Sequence, residues 1–433
     1  KKLDVSYNDL TGVLPDVWAD SLHQLRELKF NNNPKLTGSL PTAWFPPLRD
    51  DESGGDREFL EYRFSNLKSL DGTDCDLTGA LPSNLGGASS LETLKLGGNR
   101  IEGSVPGSVV RLTQLPELNV RRNKLTGALP ANVFEALADT LHTVDLAHNA
   151  LSGAFPPFPT TGYPVLRDVD VSENDFQGSL PSFGAVSLLF LNVAHNNLVG
   201  SFPYPCGNGY MNHLEIQGNA FTGAFPDITC LRRLTFLDAS SNAFESLAGD
   251  GKWIADPTNK VSHIDFKSNA LSGNLPSSGI CGRYTRFIDL SGNAFVGSIP
   301  ESVGECTSLR ELRLGEFVDQ NDGNGENEQR DASDESDENS FSLPSEATLA
   351  KLTRLTHLHL RGIGLTGAIP QSLFALPSLL ELDLSHNRLS GALPADAEGF
   401  AWSNTLHRLS LARNNLTGVV PSSLLALKSL QKL

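Results

Sequence analysis

The sequence has little charge and no long apolar run, and each shortage excludes a class of protein. Charged residues make up 19% of the 433 residues, which is too few for a fibrous coiled coil or a disordered chain. No apolar run approaches the roughly eighteen residues that a membrane-spanning helix needs, and the first residues do not resemble a secretory signal. Positive charge is scarce as well, because 34 Lys and Arg stand against 50 Asp and Glu, a net charge of -16. Nucleic acid is therefore not an expected partner.

Residue patterns for metal binding and catalysis are also missing. The five cysteines form no C-x-x-C pair, so a structural zinc site is not expected. The nucleophile elbow, the H-E-x-x-H motif and the phosphate-binding loop are all absent from the sequence. His357 and His359 lie two residues apart on one face of a strand, and a solvated strand surface is a simpler interpretation than a metal site. We predict no enzymatic activity, no catalytic residue, no metal and no cofactor.

What the sequence does contain is a repeat of about 24 residues. The segment LETLKLGGNRIEGSVPGSV begins at Leu91, and LLELDLSHNRLSGALPADA begins at Leu379. Both follow the pattern LxxLxLxxNxLxGxLPxxL, which recurs along nearly the whole chain. A fixed period of this length is typical of a repeat architecture, in which neighbouring coils stack and share one core.

This pattern resembles the plant-type leucine-rich repeat of receptor-kinase ectodomains, polygalacturonase-inhibiting proteins and some protist and algal surface proteins. The resemblance implies an α/β solenoid, a right-handed superhelix with a parallel concave β-sheet and about sixteen coils. We expect residues 1–433 to form a single solenoid, a fragment that is uncapped at both ends.

The asparagine of each repeat has a structural explanation. It lies between buried apolar positions, where a polar side chain is tolerated only if it hydrogen-bonds the backbone. Cys75 takes this position in its own coil, and we expect it to be a buried structural residue. The predicted asparagine ladder comprises Asn99, Asn123, Asn149, Asn174, Asn196, Asn219, Asn242, Asn269, Asn293, Asn387 and Asn414.

Two insertions, at about 45–62 and 316–342, interrupt the period. Residues 49–61 carry a net charge of -4 and residues 316–338 a net charge of -9. The two segments hold most of the negative charge, and the repeats themselves are nearly neutral. We interpret the insertions as solvated loops.

Four cysteines form two pairs that are one coil apart, Cys206 with Cys230 and Cys281 with Cys306. Equivalent positions in adjacent coils lie at about the separation that a disulfide spans. Two disulfides are therefore predicted if the compartment is oxidising, and free stacked thiols are the alternative.

A column of rings points to a binding function. Six residues before the ladder asparagine, five consecutive coils carry Phe190, His213, Phe236, His263 and Phe287. We expect these side chains to project from the concave sheet as an apolar strip that binds a protein, a peptide or the face of a sugar. Alternatively, a loop or a neighbouring protomer covers the strip, or the phenylalanines pack locally.

A second column carries aspartates. We interpret it as a structural feature of the repeat and not as a set of functional acids. Its members are Asp4, Asp145, Asp170, Asp238, Asp265, Asp289 and Asp383.

These features favour an extracellular or cell-surface recognition or adhesion module, whose signal peptide and any anchor lie outside the given residues. One alternative is a structural subunit of a surface coat, filament or larger complex that self-associates through its solenoid ends. Another is an inhibitor of a secreted hydrolase.

Overall fold

A computed structural model describes residues 1–48, 64–160, 164–205, 209–315, 341–394 and 401–431. The chain divides into two compact units, Lys1–Phe221 and Thr222–Leu433. Most of the two predicted insertions lies outside the described residues. The expectation of one continuous solenoid stays a prediction.

Each coil begins with a short strand whose middle residue is buried, except in the first strand, Lys2–Asp4, where it is half-exposed. In Thr93–Lys95, Leu94 faces the core and its two neighbours are half-exposed. Since successive side chains of a strand point to opposite sides, the first and third positions of every such strand lie on the outer face. We call the sheets built from these strands the main sheets of the two units.

The main-sheet strands are parallel and pair in chain order within each unit. The first unit contains Lys2–Asp4, Glu27–Lys29, Ser69–Asp71, Thr93–Lys95, Glu117–Asn119, Thr143–Asp145, Asp168–Asp170, Phe190–Asn192 and His213–Glu215. The second unit contains Phe236–Asp238, His263–Asp265, Phe287–Asp289, Glu311–Arg313, His357–His359, Glu381–Asp383 and Arg408–Ser410.

A second set of strands follows the ladder position of the coils, where the L-x-G part of the repeat lies. Glycine at positive φ, such as Gly103 at 75°, turns the chain here. These strands are Thr11–Val13, Asn33–Gly38, Cys75–Leu77, Glu102–Gly103, Lys124–Gly127, Ala150–Ala154, Asp175–Gly178, Asn197–Gly200, Ala220–Phe225, Ala243–Leu247, Ser272–Asn274, Ala294–Val296, Phe341–Ser342, Leu365–Ala368, Arg388–Ala392 and Asn415–Thr417.

Helices are few and short in the described residues. Pro106, Pro300 and Pro370 stand directly before such turns with φ near that of the proline ring, at -69°, -67° and -62°. The α-helices are Trp18–Ser21, Val133–Ala136, Glu346–Leu349 and Gln371–Phe374, and the 3-10 turns are Thr42–Trp44, Leu85–Gly87, Gly107–Arg111, Ala248–Gly251, Glu301–Glu305 and Ser422–Ala426.

The ladder asparagines join each coil to the one before it. Asn99 donates from Nδ2 to the carbonyls of Gly72 at 2.8 Å and Leu96 at 2.9 Å, and its Oδ1 accepts the Leu77 N–H at 3.0 Å. The same pattern recurs at Asn33, Asn123, Asn149, Asn174, Asn196, Asn219, Asn269, Asn293, Asn387 and Asn414.

The two remaining ladder positions are Asn242 and Cys75. Asn242 donates to the carbonyls of Ala239 and Ser240 in its own coil. The Cys75 thiol is buried and donates to the Phe30 carbonyl at 3.3 Å, and burial raises its pKa above the ordinary value. The structural interpretation of Cys75 is confirmed.

Phenylalanines fill the core of each unit. In the first unit, Phe155 and Phe158 lie 5.4 Å apart between ring centroids, and Phe158 lies 5.9 Å from Phe183. In the second unit, Phe225 packs against Phe266 at 4.9 Å and against Trp253 at 5.9 Å. Buried aromatic rings contribute large apolar areas, so these clusters add to the leucines of the repeat.

One of the two predicted disulfides is present. Cys281 and Cys306 are bonded, with their Cα atoms 5.7 Å apart. Cys206 lies outside the described residues, so its bridge to Cys230 stays a prediction.

Candidate ligand-binding face

The outer face of each main sheet presents two columns of side chains, one from the first and one from the third position of each strand. Strand pairing aligns them, so that Phe190 is opposite His213 in the first unit. In the second unit, Phe236 is opposite His263 and His263 is opposite Phe287. The five predicted ring residues are therefore all half-exposed, each on the outer face of the main sheet of its own unit.

In the first unit, two of the predicted rings form a pair. The Phe190 and His213 rings are stacked, with centroids 5.0 Å apart. His213 Nε2 lies 2.6 Å from Glu215 Oε1 at the third position of the same strand. This hydrogen bond is the main reason that the pKa of Glu215 is lowered from its ordinary value.

In the second unit, Phe236, His263 and Phe287 form what we call the ring stack. Centroids are 4.3 Å apart between Phe236 and His263, with planes inclined by 7°. Between His263 and Phe287 the values are 4.2 Å and 2°. The Arg313 guanidinium lies 5.6 Å from the Phe287 centroid.

This stacking changes the predicted mode of binding. Both faces of the His263 ring are covered by its neighbours, so the ring stack presents edges to solvent. A sugar that stacks on ring faces therefore has no free face at His263. These three rings form an apolar ridge, and binding at the ring column stays a prediction.

Beside the ring stack, Asp238, Asp265 and Asp289 form what we call the acid row. Each carboxylate accepts the backbone N–H two residues further on, at 3.0 Å from Ser240, 2.8 Å from Lys267 and 2.9 Å from Ser291. The same bond occurs at Asp4, Asp145, Asp170 and Asp383. Each aspartate of the column therefore closes a turn with its side chain, in agreement with a structural role in the repeat.

The acid row has a second property that sequence reasoning missed. Burial raises the pKa of Asp265 to about 7, and the neighbouring carboxylates of Asp289 and Asp238 act in the same direction. The backbone hydrogen bond and the charge of Lys267 oppose this rise only in part. The sequence signal for this row of acids is an aspartate two residues after the ring residue in three consecutive coils.

The charge of Asp289 is compensated within the chain. Its Oδ2 lies 3.6 Å from Arg313 Nη1, and its side chain is only 2% exposed. Arg313 Nε also donates to Glu311 Oε1 at 2.6 Å. Among the described residues, no ion pair within 4.0 Å joins Asp238 or Asp265, so those two carboxylates lack a direct counter-charge.

The histidine pair further along the face differs from expectation. His359 is buried, and burial, followed by the charge of Arg313, lowers its pKa to about 4. The prediction of a solvated surface is therefore wrong for His359, which is only 2% exposed. His359 Nε2 lies 4.0 Å from Glu381 Oε2. Within the described residues, no three His, Cys, Asp or Glu side chains are placed to hold a metal ion.

A surface depression of about 280 Å³ lies on the first unit. Its lining includes Lys29, Asp71, Lys95 and Glu117, and Lys95 Nζ lies 3.0 Å from Glu117 Oε2. Because the lining carries charges of both signs, it favours no one ligand class.

Comparison with known proteins identifies relatives among plant receptors. The Leucine Rich Repeat family model matches residues 378–400 and 405–427. Receptor-like protein 35 of Arabidopsis thaliana is 27% identical over 331 residues, which cover 72% of this chain and 30% of that protein. Receptor-like protein 39 of Arabidopsis thaliana is 32% identical over 273 residues, 62% of this chain and 28% of that protein. The matches thus span less than a third of either relative.

Solved structures agree in fold. A TDR receptor crystal structure is 25% identical with a TM-score of 0.76, and covers 100% of this chain and 67% of its own. The HAESA ectodomain of Arabidopsis is 24% identical with a TM-score of 0.69, covering 100% and 69%. No helix in the described part of the chain is long and apolar enough to cross a membrane. With its repeats, parallel main-sheet strands and asparagine ladder, the chain has the fold of plant leucine-rich-repeat ectodomains and is similar in sequence to plant receptor-like proteins.

Proposed function

We propose that this chain is the ligand-binding part of an extracellular, receptor-like protein, that it is not catalytic, and that it binds a peptide on the outer face of its main sheets. The observation that carries the proposal is the ring stack. Three stacked rings are half-exposed on a sheet face, where an apolar ridge contributes little to the fold. Aromatic side chains in such positions are typical of binding hot spots.

The relatives support the same class of function. The relatives reported above are receptor-like proteins, and the HAESA ectodomain structure contains a peptide hormone. The Cys281–Cys306 disulfide agrees with an oxidising, extracellular compartment.

A peptide fits the face better than a carbohydrate does. The ridge exposes ring edges, and an extended peptide can place alternate apolar side chains along such a ridge. The chemistry of the face also favours binding over catalysis. His263 is held between two rings, and one oxygen of each acid-row carboxylate is bonded to the backbone.

The experiment is a selection of short random peptides on the wild-type protein, followed by affinity measurements on the selected peptides. The double variant Phe236→Ala and Phe287→Ala should lose about tenfold or more in affinity, because truncated hot-spot residues typically cost this much. Tyr284→Ala is the matched control, since Tyr284 is a 46% exposed ring in the same coil that lies outside the main-sheet strand. Equal affinity of the double variant and the wild type would contradict the proposal.

A further inference from the structure

We infer that the ring stack and the acid row together form a docking surface for an extended peptide that carries an arginine, whose guanidinium lies across Asp238 and Asp265. This inference rests on the proposed peptide-binding function and adds the chemical class of the ligand.

The geometry places an apolar and an anionic surface side by side. Phe236 and Asp238 are the first and third residues of one strand, and His263 and Asp265 are those of the next. Both columns lie on the same face because residues two apart in a strand point to the same side. The strands pair in register, so the ridge and the row run parallel across the sheet.

Backbone hydrogen bonds hold the acid-row carboxylates in position to bind a cation. A backbone N–H fixes one oxygen of each carboxylate, from Ser240 to Asp238 and from Lys267 to Asp265. Fixed carboxylates lose little conformational entropy when a ligand binds. Neither side chain has an ion-pair partner within 4.0 Å in the parts of the chain that the structure describes, so a cationic ligand supplies the missing charge.

The chain itself makes this type of contact one strand away. Arg313 places its guanidinium 5.6 Å from the Phe287 centroid and 3.6 Å from Asp289 Oδ2. A guanidinium therefore fits beside a ring and a carboxylate that are related in the same way as His263 and Asp265. The Arg313 side chain is paired with Asp289 and donates to Glu311.

Arginine is favoured over other cations. Neighbouring parallel strands are about 4.8 Å apart, and the planar guanidinium fork can donate to two carboxylates at that spacing, whereas an ammonium is a compact point charge. A metal ion is less suited, because the described residues hold no group of three or more metal-binding side chains.

The experiment compares two labelled peptides by fluorescence anisotropy. One alternates leucine and arginine, and the other carries neutral citrulline, of nearly the same shape, in place of every arginine. Wild-type protein should bind the arginine peptide about tenfold or more tightly, as expected for charge-assisted hydrogen bonds. The double variant Asp238→Asn and Asp265→Asn should bind both peptides equally.

Asparagine is a suitable replacement, because Asn192 already occupies this strand position and its Oδ1 accepts the Ala194 N–H at 3.0 Å. Asp256→Asn is the charge control, since Asp256 lies in a loop of the same unit and bonds Thr258. It should keep the preference for arginine.

The outcomes separate this inference from the proposed function. If wild-type protein binds both peptides equally, or if the acid-row variant keeps the preference, the inference is wrong. In those cases the proposed function still stands when Phe236→Ala with Phe287→Ala weakens both peptides. If those ring substitutions change the affinity for neither peptide, the proposed function is wrong too.

Discussion

At the scale of single residues, the environment decides whether an aspartate of the repeat is ordinary or unusual. Asp256 lies in a loop, and its hydrogen bonds from Thr258 lower its pKa. Asp265 has a similar backbone bond, but burial raises its pKa to about 7. The two residues should therefore affect stability with opposite dependence on pH.

The first prediction concerns Asp265→Asn. The folded protein holds the Asp265 proton more tightly than the unfolded chain, in which the pKa is near 3.8. Stability from this group is full below about pH 4 and is lost as pH rises to about 7. The variant should therefore be more stable than wild type at pH 8, and the difference should vanish near pH 4. Chemical denaturation at several pH values measures this.

The matched control is Asp256→Asn, which should behave in the opposite way. A lowered pKa stabilises the fold above the ordinary pKa, so this variant should be less stable than wild type at pH 8 and should approach it at low pH. His359 titrates alike in all these proteins and cancels in the comparison. If wild type is more stable than Asp265→Asn at pH 8, the raised pKa of Asp265 is refuted.

At the scale of the element, the ladder joins neighbouring coils through buried amides. Asn196 is 7% exposed; it donates to Val171 O at 3.0 Å and Val193 O at 3.1 Å, and it accepts the Phe176 N–H at 3.0 Å. Burying these backbone groups without a partner is costly. The ladder therefore sets the relative position of adjacent coils as well as adding stability.

The second prediction compares two adjacent asparagines. Asn196→Ala should lower the free energy of unfolding by about 2 to 4 kcal/mol, because several buried backbone groups lose their partner. Asn197→Ala should cost under about 0.5 kcal/mol, since Asn197 is exposed. Guanidinium denaturation of both variants provides the test. Similar losses at the two positions would show that the ladder bonds are not the cause.

The element scale also explains which features of the site were predictable. The period of the repeat placed the rings of each unit on the outer face of its main sheet, because each coil repeats the same strand. Whether the rings lie flat on the sheet or stand on edge depends on the side-chain dihedral angles that the ring residues of neighbouring strands adopt. At the roughly 4.8 Å strand spacing, planar side chains in register stack face to face, as Phe236, His263 and Phe287 do.

At the scale of the whole molecule, charge and covalent cross-links are unevenly distributed. Residues 49–61 and 316–338 hold a net -13 of the total -16, so the repeats are close to neutral. In near-neutral repeats, Asp238 and Asp265, which have no ion pair within 4.0 Å in the described residues, are a local feature and not part of a general negative field.

The third prediction concerns the disulfide of the second unit. Replacing Cys281 and Cys306 by alanine should destabilise the fold by about 3 kcal/mol, as expected for a closed loop of this length. Hydrogen exchange read by mass spectrometry should increase in peptides from the coils around residues 281–306. Cys75→Ala is the control, because its thiol forms no disulfide. Unchanged exchange around residues 281–306 would contradict the expected contribution.

The amino-acid sequence by itself determined the coil, the ladder and the spacing of the cysteine pairs, because these features repeat and depend on contacts between equivalent residues. Only the tertiary structure decided that the rings stack edge-outward and that His359 is buried. It also decided that Arg313 compensates Asp289, while Asp238 and Asp265 have no ion pair among the residues that the structure describes. These properties depend on side chains of unlike coils and on how far each is removed from water. No repeat pattern contains that information.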